Sequence, residues 1–244
     1  MITAPTALEL NKKGSPAYRP SLSIVVPALN EQDTVQHAVE WTISVLREIS
    51  DDYEVVIVDD GSTDETGRIA DGLAAKSMHI RVIHNLRPSG YGGALDAGFT
   101  AASKDVIGLI TADEEFHPTD LPRFVQAIRD ADIVTSVCPH RPMPFYRKIL
   151  SWGWRTCVAI ILGERPVIEG TFMIRKELFD SLKMESRSGM YVMEMLIKAA
   201  RRGARMKVIA IGVYPRPDLS KSKVGNLRTT IAVFNEILAL RRRL

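Results

Sequence analysis

The segment Val55-Val56-Ile57-Val58-Asp59-Asp60-Gly61-Ser62-Thr63-Asp64-Glu65-Thr66 constrains the fold more than any other stretch, because four branched apolar residues end abruptly in two acids, a glycine and polar residues. An unbroken apolar run is the pattern of a parallel strand covered on both faces. In an open α/β sheet, ligands sit beyond the carboxyl ends of the strands, so Asp59 and Asp60 are expected to face a ligand and not the core. Gly61 permits a tight turn, and Ser62, Thr63 or Asp64 can cap a following helix. Taken alone, the segment also suits an ordinary strand-to-helix turn with solvated acids. A second segment of the same design lies upstream, where Leu22-Ser23-Ile24-Val25-Val26-Pro27-Ala28-Leu29-Asn30-Glu31 is a strand ending in proline, with Asn30 and Glu31 opening a helix.

Spaced by one helix, the strings VVPALNE and VDDGSTDET resemble the two opening motifs of the family 2 glycosyltransferases. The resemblance implies an α/β fold of the GT-A type, a mostly parallel central sheet flanked by helices that binds a nucleotide sugar. It also implies that the acid ending the second strand recognises the nucleotide base while the first motif contacts base and ribose. Those roles fall on Asp59, with Asp60 beside it, and on Pro27, Leu29 and Glu31.

A chain of 244 residues with 45% hydrophobic content can bury one substantial core, which suits one large α/β domain. The expected division is a flexible arm over residues 1–20, a catalytic domain over 21–225 and an amphipathic helix over 226–244. A net charge of +3 is too small to imply a nucleic-acid partner. Cys138 and Cys157 have neither metal-site spacing nor the look of a disulfide framework, so a reducing, cytoplasmic setting is expected. The early residues lack the apolar core of a signal peptide, and no apolar run approaches the roughly 20 residues that span a bilayer. Any membrane contact is therefore expected to be peripheral, on the cytoplasmic face.

Residues 80–83 read as a third strand leading into Arg87-Pro88-Ser89-Gly90-Tyr91-Gly92-Gly93-Ala94-Leu95-Asp96-Ala97-Gly98. These glycines lack the spacing of a dinucleotide fingerprint and sit on the third unit instead of the first. They are similar to the glycine-rich stretch after the third strand of the same transferase family, with Gly98 expected as a packing position. The fourth strand, residues 106–110, runs into Thr111-Ala112-Asp113-Glu114-Glu115-Phe116-His117-Pro118, and residues 120–130 read as an amphipathic helix. The family places an Asp-Ala-Asp metal motif here, with Thr111 standing where the first aspartate is usual. Asp113 matches the second aspartate, and Glu115 lies where related polyprenyl-phosphate transferases carry a glutamine of the metal shell. A divalent ion on a nucleotide diphosphate needs only one or two protein oxygens, and oxygen-only ligation favours Mg2+ or Mn2+. His117 reads as a loop residue.

After a fifth strand over residues 132–137, Arg141, Arg147 and Arg155 interleave with Phe145, Tyr146, Trp152 and Trp154. Such a segment suits a membrane interface, and a core helix is the alternative. By resemblance to polyprenyl-phosphate sugar transferases it would admit a lipid acceptor, with Arg141 and Arg155 holding its phosphate. Glu169-Gly170-Thr171-Phe172 loosely resembles a family strand, and residues 191–202 read as a helix ended by Gly203. The loop Arg216-Pro217-Asp218-Leu219-Ser220-Lys221-Ser222-Lys223 resembles the one that closes over the nucleotide diphosphate in polyprenyl-phosphate mannosyl- and glucosyltransferases. The resemblance assigns charge stabilisation to Arg216 and Lys223 and a hydrogen bond to Ser222. Residues 226–244 recur at helical spacing and close on three arginines, which suits a docked terminal helix or attraction to anionic lipid.

The expected activity is an inverting sugar transfer from a GDP- or UDP-sugar to a polyprenyl phosphate. A lipid phosphate is already largely anionic near neutral pH, whereas a sugar hydroxyl needs a general base. The alternatives are a transferase acting on a hydroxyl acceptor, with Glu194 or Glu169 as base, and a non-catalytic nucleotide-sugar-binding protein. A nicotinamide-dependent oxidoreductase is more distant, since the glycines are misplaced for it.

Overall fold

Every residue of the second strand is buried, as its unbroken apolar run requires. A computed structural model describes residues 18–139 and 170–212. In chain order its first half comprises β1 (Leu22–Ala28), α1 (Val35–Ile49), β2 (Tyr53–Asp59), α2 (Thr66–Ala74), β3 (Ile80–His84), α3 (Gly90–Ala101) and β4 (Val106–Leu109). A 3-10 turn (Pro118–Asp120) then runs into α4 (Leu121–Ile128), followed by β5 (Ile133–Val137), β6 (Phe172–Arg175), α5 (Lys176–Ser181), α6 (Tyr191–Arg201) and β7 (Met206–Ala210).

The strands form one sheet in the order β3-β2-β1-β4-β6-β5-β7. It is mostly parallel, as expected, with β6 antiparallel to both β4 and β5. Alternate residues of β1 serve opposite faces, as a period of two demands. Ile24 and Val26 join Val35, Val39 and Leu46 of α1 in one apolar cluster. Val25 joins Val56, Val58 and, from α3, Leu95 and Phe99 in the other. Helix α1 buries Val35, Ala38, Val39, Thr42, Ile43, Leu46 and Ile49, a stripe at helical spacing. Burying a side chain such as Leu46 contributes about 1.5–3 kcal/mol. Gly98 is a packing position: a Cβ there would collide with Val25 and come within 3.0 Å of Val58 Cγ2, so α3 lies directly on the sheet.

The strand order reverses between β1 and β4, and there the two strands part. Their pairing ends at Val25 with Leu109, and the last bond runs from the Ile110 N–H to the Val25 carbonyl at 3.1 Å. β1 stays paired with β2 as far as Ala28, whose carbonyl accepts the Asp60 N–H at 2.9 Å. Val25 therefore bonds toward β4 and Ala28 toward β2, and by alternation Pro27 turns its nitrogen toward the side that β4 has left. A proline costs no ladder bond at that point, although mid-sheet it would. The parting lies at the carboxyl ends of β1, β2 and β4, the place where open α/β sheets have their ligand crevice.

Helix α6 ends one residue earlier than expected and closes in a Schellman motif, with Gly203 at φ 73°, its N–H on the Ala200 carbonyl and the Ala204 N–H on that of Ala199. Among the capping candidates after β2, Asp64 accepts the Thr66 N–H at 3.0 Å. Residues 1–17 of the expected arm, the aromatic segment that follows residue 139, the 216–223 loop and residues 226–244 lie outside the described residues. Among the described residues no helix is long and apolar enough to cross a membrane.

Gly61 has φ 74°, and a Cβ on it would stand 2.8 Å from the Arg87 carbonyl carbon and 2.9 Å from the Pro88 nitrogen. Backbone cannot yield as a flexible side chain can, so Gly61→Ala combines left-handed strain with overpacking. We expect a loss of about 2–4 kcal/mol in unfolding free energy, measured by urea titration with an unchanged m-value.

Candidate active site

Two loops, after β1 and after β2, form one wall of the crevice, and they are stitched together by the polar residues of both opening motifs. The Asn30 N–H donates to Ser62 Oγ at 3.0 Å, and Asn30 Oδ1 accepts the Thr63 N–H at 2.9 Å. The Glu31 N–H donates to Thr66 Oγ1 at 2.8 Å, and Gln32 Oε1 accepts the Glu65 N–H at 3.1 Å. Asn30 takes φ 56°, a left-handed conformation that asparagine tolerates better than most residues. The Glu31 carbonyl accepts the N–H groups of Thr34 and Val35, so α1 begins at Val35, four residues later than the expected opening. Pro27, Leu29 and Glu31 are all half-buried on this wall.

Both acids ending β2 are buried. Asp59 accepts the Ser62 N–H on Oδ1 at 3.0 Å and contacts His84 Nδ1 through Oδ2 at 2.9 Å. Burial alone raises its pKa, but the bonds from Ser62 and His84 outweigh that cost and hold the carboxyl below its ordinary value. The other His84 nitrogen, Nε2, lies 3.0 Å from Asp71 Oδ1 on α2. Hydrogen bonds to Asp59 and then to Asp71 raise the imidazole above 6.5 against the opposing effect of burial. Asp60 Oδ1 accepts from Asn85 Nδ2 at 2.7 Å, the Ser89 N–H at 2.8 Å and Ser89 Oγ at 2.6 Å. Its Oδ2 accepts the Gly90 N–H at 3.1 Å. Asp60 therefore anchors the first residues of the glycine-rich segment, which proves to be the start of α3.

The loop after β4 supplies the opposite wall. Thr111 Oγ1 donates to Asp113 Oδ1 at 2.6 Å, and the Glu115 N–H reaches the same oxygen at 3.2 Å. The threonine in place of the usual aspartate thus buttresses the second acid. Glu115 is buried, Asp113 is half-buried, and Glu114 between them takes φ 56°. Tyr91, on the first turn of α3, has its hydroxyl pKa pushed up by crowding and then by the charges of Asp113 and Glu115, which places it at the same mouth although 44% of its surface is open. Among the described residues no three His, Cys, Asp or Glu side chains cluster as a metal site. Two carboxylates with oxygen-only donors still fit Mg2+ or Mn2+ when phosphates and water complete the coordination.

The structure thus gathers Pro27, Leu29, Glu31, Asp59, Asp60, Asp113 and Glu115 at the carboxyl ends of three adjacent strands. Arg141, Arg155, Arg216, Ser222 and Lys223 lie outside the described residues, as does Glu169. Glu194 is fully buried, paired with Lys198 Nζ at 2.6 Å, and accepts the Ser186 N–H at 2.8 Å. Its oxygens brace the turn before α6. His117 packs against Trp41 with centroids 4.5 Å apart, and burial lowers its pKa. His84, His37 and Tyr91 were not singled out from sequence. The one available signal was the position of His84 at the end of a strand that abuts the acids.

A family model, Glycosyl transferase family 2, matches residues 23–198. The chain belongs to this family. It is 31% identical over 224 residues to undecaprenyl-phosphate mannosyltransferase of Micrococcus luteus, covering 86% of this chain and 90% of that protein. It is 28% identical over 200 residues to dolichol-phosphate mannosyltransferase of Pyrococcus furiosus, covering 78% of this chain and 55% of the relative. With glycosyltransferase AglD of Haloferax volcanii it shares 30% identity over 229 residues, 89% of this chain but only 36% of that protein. Among solved structures, glucosyl-3-phosphoglycerate synthase of Mycobacterium tuberculosis with Mn2+, UDP-glucose and phosphoglyceric acid superposes with a TM-score of 0.70 at 23% identity, covering 98% of this chain and 86% of that one. That likeness shows the fold, and the protein is a glycosyltransferase with the GT-A architecture.

The pair His84–Asp59 carries a pH signature. A histidine with a raised folded pKa contributes stability that is fully present below its unfolded value of 6.5 and is lost as pH rises through the folded value. Thermal unfolding from about pH 5 to about pH 9 should show the Tm advantage of wild type over His84→Gln shrinking as pH rises. A difference independent of pH would remove the ionic part of this contact. For Glu194, Lys198→Met leaves a buried carboxylate without its cation, and we expect a loss of about 3–5 kcal/mol in denaturant unfolding.

Proposed function

We propose that the protein is an inverting glycosyltransferase that moves a sugar from a nucleotide diphosphate donor to the phosphate of a polyprenyl lipid. The carrying observation is the crevice at the β1–β4 parting, with Asp59 and Asp60 on one wall and Asp113 and Glu115 on the other. In this reading Asp59, Asp60, Pro27, Leu29 and Glu31 form the nucleotide pocket. Asp113 and Glu115 hold Mg2+ or Mn2+ when the donor is bound. The ion supplies charge neutralisation for the departing diphosphate. Thr111 and the Glu115 N–H fix the Asp113 carboxylate before the donor arrives, so that charge stabilisation is preorganised.

The acceptor is supported by the relatives that use polyprenyl phosphates by name, over most of this chain's length. It is also supported by the engagement of Glu194, which is buried against Lys198 and backbone N–H groups and is poorly placed to activate a hydroxyl. A phosphate acceptor is anionic near neutral pH and needs orientation more than deprotonation. Arg216 and Lys223 would close over the diphosphate, and Arg141, Arg155 and Ser222 would meet the lipid phosphate. The catalytic unit would then span residues 21–225, between an arm over 1–20 and a terminal helix over 226–244. Its place would be the cytoplasmic face of the membrane, in peripheral contact, with no nucleic acid involved.

The test is transfer of radiolabelled sugar from GDP- and UDP-sugars, with Mg2+ or Mn2+, into polyprenyl phosphate in detergent. Label that enters the organic phase only when lipid is present supports the proposal and names the donor. Transfer to a water-soluble acceptor without lipid would replace it with the hydroxyl-acceptor reading, and donor binding without any transfer would favour a non-catalytic role. Asp113→Ala should lower turnover at least about a hundredfold with an unchanged far-UV spectrum. Turnover at the wild-type rate would remove the metal assignment.

A further inference from the structure

Glu114 stands between Asp113 and Glu115 with φ 56°, a left-handed conformation that a glutamate adopts only when its surroundings hold it there. Its side chain is engaged: Glu114 Oε1 lies 2.5 Å from Nδ1 of His37, in the first turn of α1. The glutamate is mostly covered, at 18% side-chain exposure, while His37 keeps 66% open. His37 and Trp41 are four residues apart and share a face of α1. Their rings lie 5.5 Å apart, and Trp41 in turn packs against His117 at 4.5 Å. Helix α1 therefore grips the loop at Glu114 and again at His117, on both sides of Glu115.

We propose that His37 is a positioning residue for the metal-binding loop, holding Glu114 in its left-handed turn so that Asp113 and Glu115 present their oxygens to one ion. The peptide flip at Glu114 sets the relative direction of the side chains before and after it. Without the grip from α1, the residue relaxes toward the right-handed regions that L-residues prefer, and the two carboxylates separate. The contact is a partly exposed one, so its effect on the loop equilibrium is modest. The inference rests on the assignment of Asp113 and Glu115 as metal carboxylates.

The experiment is direct Mn2+ binding at one fixed pH, in the presence of UDP or GDP, read from the paramagnetic resonance of free Mn2+ without any sugar transfer. We expect His37→Ala to bind Mn2+ about fivefold more weakly at an unchanged Tm. His37→Asn, whose amide can take the place of the Nδ1 donor, should recover most of that loss. In a Glu114→Gly background, where the left-handed turn carries no penalty and the brace has no partner, His37→Ala should have no further effect. Unchanged Mn2+ affinity in His37→Ala overturns the proposal. The same loss in the Glu114→Gly background also overturns it, because His37 would then act elsewhere. If wild type binds no Mn2+ with either nucleotide, the metal assignment falls and this inference falls with it.

Discussion

β1 keeps β2 as a neighbour for three residues after it has lost β4, and the candidate site depends on that asymmetry. A sheet that stayed fully paired would have no opening between its central strands, and a sheet that frayed on both sides would have no firm wall. Here the Ala28 carbonyl still binds the Asp60 N–H after the Val25 carbonyl has made the last bond to the β4 side. Pro27 falls in the interval. Its missing donor makes continued pairing toward β4 impossible without a lost hydrogen bond, so the residue helps to fix where the strands separate. Everything placed at the mouth is measured from that point.

The polar letters of the opening motifs serve first to build the wall they belong to. Ser62, Thr63 and Thr66 bind the backbone or side chain of Asn30 and Glu31, and Asp64 holds the start of α2. Asp60 ties the end of β2 to Asn85 and to Ser89 and Gly90 at the start of α3 with four hydrogen bonds. A ligand pocket made from three separate loops needs such cross-bracing, because each loop alone would lose too much order to present its groups in a fixed geometry. The close approach of α3 to the rest of the molecule follows the same logic. A Cβ on Gly92 would collide with the backbone of Arg187 and Ser188, and the Gly93 N–H bonds the Arg187 carbonyl at 3.1 Å.

Electrostatic order at the mouth comes from giving each acid a distinct set of partners. Asp59 is matched with a histidine whose charge is itself favoured by Asp71, and Asp60 with neutral N–H and O–H donors. Asp113 is held by the Thr111 hydroxyl and by the Glu115 N–H, both on the same carboxylate oxygen. In the proposed reading, Asp113 and Glu115 receive the divalent ion that accompanies the donor diphosphate.

The order of strands and helices, the fully buried second strand, the Gly203 helix stop and the gathering of acids at strand ends were determined by the sequence itself. They depend on local period, on chain-wide alternation and on residues with one dominant conformational role, all of which act over a few positions. The pairing of β6 antiparallel within the sheet, the role of Thr111 as a buttress and the contacts of His84 with Asp59 and of His37 with Glu114 were decided only in three dimensions. These partners are 25 and 77 residues apart along the chain. No short-range pattern encodes which side chains meet when separate βα units are laid side by side. The sheet register and helix packing choose them, because burial fixes each element's facing before any single polar contact is made.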